Sequence, residues 1–216
     1  MTPYEYGDAQ VAKLKREIMV LFRKAMLMRF DEINSTDTAK VIRRIYRTIG
    51  KRTRVYLEDL VDYIWFTVLE EHNLTLDERA QARLRLSTPR EFVDAYLSGY
   101  DPVTKYVYDH ELDRKRARLF ESLIADRESD NPTAIDTDYI RAQKLVTGQT
   151  EQYFIDVEDA ARNRVYEAMG VPNVRWITED DERVCEECGP MHGLVFPIDR
   201  IPPKPHPRCR CHTEPA

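Results

Sequence analysis

Residues 185 to 212 hold all four cysteines, Cys185, Cys188, Cys209 and Cys211, together with His192, His206 and His212. Thiolates and imidazoles are the donors zinc takes most readily. A Cys-x-x-Cys followed some twenty residues later by a second thiol pair is the spacing of a tetrahedral site, because two short knuckles each offer two ligands and the intervening loop closes around the ion. The second half is Cys-x-Cys, with His206 three residues before Cys209. Several sets of four ligands can therefore be drawn from Cys185, Cys188, His206, Cys209 and Cys211. The set of Cys185, Cys188, His206 and Cys209 ranks level with the all-cysteine set, while His192 and His212 read as bystanders or as groups that orient a ligand. Zinc is favoured over disulfides, which a reducing cytoplasm opposes, and over unliganded thiols.

A structural ion also answers a need of the backbone. The last twenty residues carry Pro197, Pro202, Pro203, Pro205, Pro207 and Pro215. Such a tail is expected to form neither a helix nor a central strand, so something other than a hydrogen-bond ladder has to pin it. A metal bound there would supply most of its folding energy. Catalytic zinc fits less well: the His-x-Glu of a deaminase should precede its cysteines, and here His212 to Glu214 follows them. No Gly-x-Ser-x-Gly, phosphate-binding glycine loop or His-Glu-x-x-His is present. Asp180, Asp181 and Glu182 read as an exposed turn before the first knuckle rather than as a catalytic acidic cluster.

The elements that must position this cluster are mostly helical. With 12 Pro against 7 Gly, 42% hydrophobic and 33% charged residues, the composition is globular. No apolar run approaches the ~20 residues of a membrane span, and Met1 to Gln10 lacks the apolar core of a signal peptide. From residue 11 to about 30, Val11, Leu14, Ile18, Leu21, Phe22 and Ala25 recur at helical spacing. The same period runs from Thr38 to Glu71, as one long helix or two nearly collinear ones with Gly50 as the weak point. Thr75 with Glu78, and Thr88 with Pro89 and Glu91, are capping boxes that open two more helices, the second closed by Gly99. Asp101 and Pro102 are expected to open another that runs towards Arg127. Ser129 to Ile135 is a polar breaker and the expected junction between a helical region, 1–130, and a carboxy-terminal domain, 136–216. Helices are expected over Asp136 to Val146 and residues 151 to 169, then short strands at Val174 to Ile177 and Gly193 to Phe196. The fold class is mainly α: a helical amino-terminal region followed by a small α+β, zinc-stabilised domain.

The net charge of −5 gives no overall attraction to nucleic acid, so any such binding must be local. One stretch without acidic residues contains Arg43, Arg44, Arg47, Lys51 and Arg54, of which Arg43, Arg47 and Arg54 can share a helical face. This face could track phosphates or meet a protein partner. The plainer expectation is a solvated face paired with acids of a neighbouring helix, and the same holds for Arg114, Lys115, Arg116 and Arg118.

The order of residues from Trp176 onward narrows the choice. Trp176-Ile177-Thr178-Glu179, Asp180 to Arg183, Cys185, Cys188, Met191-His192-Gly193, Phe196, Pro202-Pro203 and His206-Pro207-Arg208-Cys209-Arg210-Cys211 resemble the carboxy-terminal domain of the Mu F-like minor head proteins of tailed bacteriophages, also called head morphogenesis proteins. The resemblance covers residues 140 to 214 and departs at His192, where the family commonly has an acid, and at Gln149, where it has Arg. It implies a non-enzymatic structural protein of the phage head that acts with the portal protein in procapsid assembly and in DNA packaging or delivery. Major capsid or scaffolding protein and packaged double-stranded DNA, bound non-specifically, are further implied partners, with no membrane. The implied location is the virion, inside the head near the portal vertex, after assembly in the host cytoplasm. The alternatives are a head-carried enzyme or effector and a zinc-dependent nucleic-acid-binding regulator.

Overall fold

The computed structural model describes residues 2–178 and 185–216. Among these residues the order is α1 (Pro3–Met26), α2 (Ser35–Glu71), α3 (Leu76–Arg85), α4 (Pro89–Ser98), α5 (Tyr108–Glu128), α6 (Pro132–Met169), β1 (Asn173–Ile177), β2 (Val195–Pro197) and β3 (His212–Pro215). The class is mainly helical with a small carboxy-terminal sheet.

Helix starts follow local chemistry. In α3 and α4 the hydroxyls of Thr75 and Thr88 accept from the backbone of Glu78 and Glu91, whose carboxylates reach back to the cap residues. The same device, Thr2 with Glu5 and Pro3 at the first helical position, starts α1 earlier than its apolar period suggests. The apolar face of α1, Val11, Leu14, Ile18, Phe22 and Ala25, is buried as the spacing predicts.

Gly50, expected to weaken its helix, and Gly148 both mark close approaches. Gly50 lies inside the continuous 37-residue α2, where an added Cβ would sit 3.3 Å from Leu112 Cδ2 of α5. Gly148 lies inside α6, which is one helix of 38 residues rather than two, and a Cβ there would meet Arg208 Nη2 at 3.3 Å. The expected breaker Ser129 to Ile135 is where α5 ends and Pro132 opens α6; Gly170, at φ 81°, closes it in the left-handed conformation.

Asp101 and Pro102 do not open a helix. Asp101 Oδ1 instead accepts from the backbone N–H groups of Val103 and Thr104 at 2.8 and 2.6 Å, and its own N–H donates to the Tyr106 carbonyl. This side-chain-capped turn competes with helix and delays α5 to Tyr108.

The helices share one buried apolar cluster that runs from Val11 on α1, through Leu57, Leu60 and Ile64 on α2, to Tyr153, Val157, Ala161 and Val165 on α6 and Val174 on β1. In the sheet, β1 lies between β2 and β3 and is antiparallel to both, with Val174 opposite Phe196 and Trp176 opposite Thr213. The strand β3 corrects one expectation, since a ladder does hold the last residues of the tail. It is an edge strand, where Pro215 can be accommodated.

Two carboxylates of α6 are buried, Asp156 at 5% and Glu158 at 8% exposure. Burial, reinforced by Asp101, pushes Asp156 up to about 7; burial likewise lifts Glu158 to about 7 against the pull of Arg162. Because the folded chain holds these protons more tightly than the unfolded one, their stabilising contribution is complete below about pH 4 and is lost as the pH rises to about 7. Asp156→Asn is therefore expected to raise the melting temperature at pH 8 by about 4 °C and to leave it nearly unchanged at pH 4. A pair of thermal unfolding curves checks this.

Candidate metal centre

The first knuckle is a tight turn. The backbone N–H groups of Cys188 and Gly189 donate to the Cys185 carbonyl at 3.1 and 3.0 Å, and the Cys188 N–H also lies 3.3 Å from Cys185 Sγ. The second arm, His206 to Cys211, passes through Arg208 at φ 59°. His206 Nδ1 lies 2.9 Å from the Pro207 carbonyl. A carbonyl only accepts, so Nδ1 carries the proton and Nε2 presents its lone pair. That nitrogen stands 3.1 Å from Cys185 Sγ and 3.2 Å from Cys188 Sγ, and Cys188 Sγ is 3.5 Å from Cys209 Sγ.

The donors form two overlapping groups, Cys185, Cys188 and His206, and Cys188, Cys209 and Cys211, each with its ligand atoms within 4.8 Å of one another. All four thiols are free, and Cys188, Cys209 and Cys211 are buried against Trp176 with Phe196 and Met191 alongside. Burial raises the Cys188 and Cys209 thiols above their usual range, whereas a hydrogen bond from the Cys188 side chain lowers Cys185 and the Pro207 carbonyl raises His206. A cation among the sulfurs would offset the cost of burying thiolates. Soft thiols joined by one oriented imidazole nitrogen fit such an ion, and these groups could hold one.

The tail that carries the second arm is fastened to α6. Lys204, its side chain only 9% exposed, pairs with Asp159 and donates to the Cys209 carbonyl at 2.9 Å. Gln152 Oε1 accepts from the Arg208 N–H at 2.6 Å while its Nε2 donates to Asp156, and Thr213 Oγ1 donates to Asn163 at 2.5 Å. Glu151 adds ion pairs to Lys15 of α1 and Arg208 of the tail. These docking residues escaped the sequence reading, although a signal was present: Gln152, Asp156, Asp159 and Asn163 recur at helical spacing as a polar stripe beside the apolar one.

A family model described as Phage Mu protein F like protein matches residues 129–214. This region is Mu F-like. Comparison with curated proteins and with solved structures finds no match. The matched stretch contains α6, all of the sheet but Pro215, and both arms of the Cys/His cluster, and it suggests a phage head morphogenesis protein found in the virion with other head components. Among the described residues no helix is long and apolar enough to cross a membrane.

Within the Mu F-like region, His192 and His212 stand outside both donor groups. His192 Nδ1 accepts from the Thr178 N–H at 3.2 Å, and His212 Nε2 lies 3.4 Å from Glu214. Asp180, Asp181 and Glu182 lie outside the described residues. The basic residues of α2 divide. Arg54 is drawn inward between Asp94 and Asp109, at 3.1 and 2.7 Å. Arg43, Arg44, Arg47 and Lys51 are exposed, and among the described residues none of them makes an ion pair. Arg43, Arg47 and Lys51 border a groove of about 390 Å³ between α2 and α5, with Tyr46 and Arg116. In the second basic run, Arg114 and Lys115 both pair with Glu111, Arg116 pairs with Asp113, and Arg118 remains exposed.

The fastening of the tail has a direct test. Asp159→Ala leaves the Lys204 ammonium buried without its counter-ion and is expected to cost about 3 kcal/mol, with faster proteolytic cleavage between Ile198 and Cys211. Lys204→Met, which removes the charge and keeps the packing, should cost less in the same chemical denaturation experiment.

Proposed function

We propose that this protein is a non-enzymatic minor head protein that works with the portal during procapsid assembly and during packaging or delivery of the genome. The observation that carries the reading is a Cys/His cluster clamped onto α6 within the stretch that matches the Mu F-like family. Zinc is the ion that best suits three or four thiolates with or without an imidazole, and it would act structurally, since protein donors fill every position and leave none for water or substrate. Cys185, Cys188, His206, Cys209 and Cys211 are the residues from which its ligands come. When bound, the ion fixes the two arms relative to each other. The chain's own contacts at Gln152, Asp159 and Asn163 then set the tail on the long helix that also carries the core.

The helical surface is proposed to face the portal near its vertex, and the unpaired row Arg43, Arg44, Arg47 and Lys51 to face packaged duplex DNA. Contact there is through phosphates, so it should be insensitive to sequence and weaken steeply with salt.

Purified, reduced protein is expected to carry about one zinc per chain. Chelation should lower the melting temperature and expose the tail to protease, while the far-ultraviolet signal of the helices persists. In infected cells the protein should co-purify with the portal, and its deletion should reduce infectious particles. A metal-free protein that folds normally sinks the structural ion, and repeated failure to capture the portal sinks the head assignment.

A further inference from the structure

Five donors compete for four positions, and their geometry separates them. Building on the structural-ion reading above, we propose that Cys185, Cys188, His206 and Cys209 hold the ion and that Cys211 is a spare thiol that packs rather than binds. Around a tetrahedral ion with metal–sulfur bonds of about 2.3 Å and metal–nitrogen bonds of about 2.0 Å, neighbouring donor atoms stand about 3.5 to 3.8 Å apart. Cys185 Sγ to His206 Nε2 is 3.1 Å, His206 Nε2 to Cys188 Sγ is 3.2 Å, and Cys188 Sγ to Cys209 Sγ is 3.5 Å. These contacts run without a break through four donors. Cys209 and Cys211 both meet the first three donors through Cys188, in the second donor group, and the short sulfur–sulfur contact there is that of Cys188 with Cys209.

The imidazole is also held as a ligand would be. With its Nδ1–H tied to the Pro207 carbonyl, the ring cannot turn its Nε2 away from the two sulfurs without giving up that bond. An outer hydrogen bond of this kind fixes both tautomer and orientation in metal-binding histidines.

Charge favours the same set. Three thiolates and a neutral imidazole around a divalent cation leave one net negative charge, and four thiolates leave two. Cys188, Cys209 and Cys211 are 2%, 1% and 5% exposed, so the extra charge would be desolvated. The buried cation beside Cys209, Lys204, is already neutralised by Asp159.

Cys211 has another role to fill. It immediately precedes β3, where His212 is opposite Ile177, so the sheet sets its backbone, and its side chain packs with Trp176. A thiol in such surroundings behaves as a small apolar group.

The experiment compares the full chain with Cys211→Ala, His206→Ala, His206→Cys and Cys209→Ser, measuring bound zinc and the absorption spectrum after replacement by cobalt(II). Wild-type protein and Cys211→Ala are expected to hold equal zinc with the same three-sulfur, one-nitrogen cobalt spectrum. His206→Ala and Cys209→Ser should bind at least tenfold more weakly. His206→Cys should keep the ion and shift the spectrum to that of four sulfurs, which separates a lost ligand from a chain that fails to fold. Loss of metal in Cys211→Ala, with retention in His206→Ala, would overturn the assignment in favour of the all-cysteine set while leaving the structural ion intact. Wild-type protein without metal would overturn both, before any variant is compared.

Discussion

Between Ile201 and Cys211 the chain forms neither helix nor strand, yet it carries three buried or half-buried donors and one of the most deeply buried lysines. Ordering such a stretch costs about 1–2 kcal/mol per residue in backbone entropy, on the order of 10–20 kcal/mol here. No ladder repays that cost. Pro202, Pro203, Pro205 and Pro207 reduce it by stiffening the unfolded chain. A structural zinc ion, as proposed above, would supply a term of comparable size, roughly 10–16 kcal/mol in small peptide domains. Within the stretch, the contacts of Arg208 to Gln152 and of Lys204 to Asp159 set it on α6.

The long helix α6 is what makes that direction possible. One face completes the core with Tyr153, Val157, Ala161 and Val165, and an adjacent stripe of Gln152, Asp156, Asp159 and Asn163 receives the tail. The same helix also packs against α1, α2 and α5. The cluster is therefore fastened to the same helix that packs in the bundle.

What the sequence discloses depends on whether a signal is local. Caps at Thr75 and Thr88 and the apolar period of α1 and α2 are written in residues three or four apart, and they read correctly. The Cys and His spacing named five donors that the fold gathers into two overlapping groups, since knuckles are themselves local. Long-range facts did not show. Gly50 looks like a weak point until Leu112 is seen beside it, and nothing near Gly148 in the chain announces the approach of Arg208. Asp101 resembles a helix cap, but its side chain closes a turn held by the backbone of Tyr106. The pairing of β3 with β1 joins segments whose separation hides it, and a proline-rich end gives no alternation to announce a strand.

The exposed basic row of α2 raises a different question, because the molecule as a whole is acidic and has carboxylates to spare. Arg54 finds two of them. Arg43, Arg47 and Lys51 lie four residues apart along one helix and repel one another, at a few tenths of a kcal/mol for each adjacent pair. Screening by salt keeps the cost small but supplies no benefit. Neither the core nor the cluster uses these side chains, so folding alone does not account for them. The groove beside this row also holds Asp109 and Asp113, which are paired with Arg54 and Arg116. A polyanion would therefore have to follow the unpaired row itself, where displacing its own counterions would turn the repulsion into attraction.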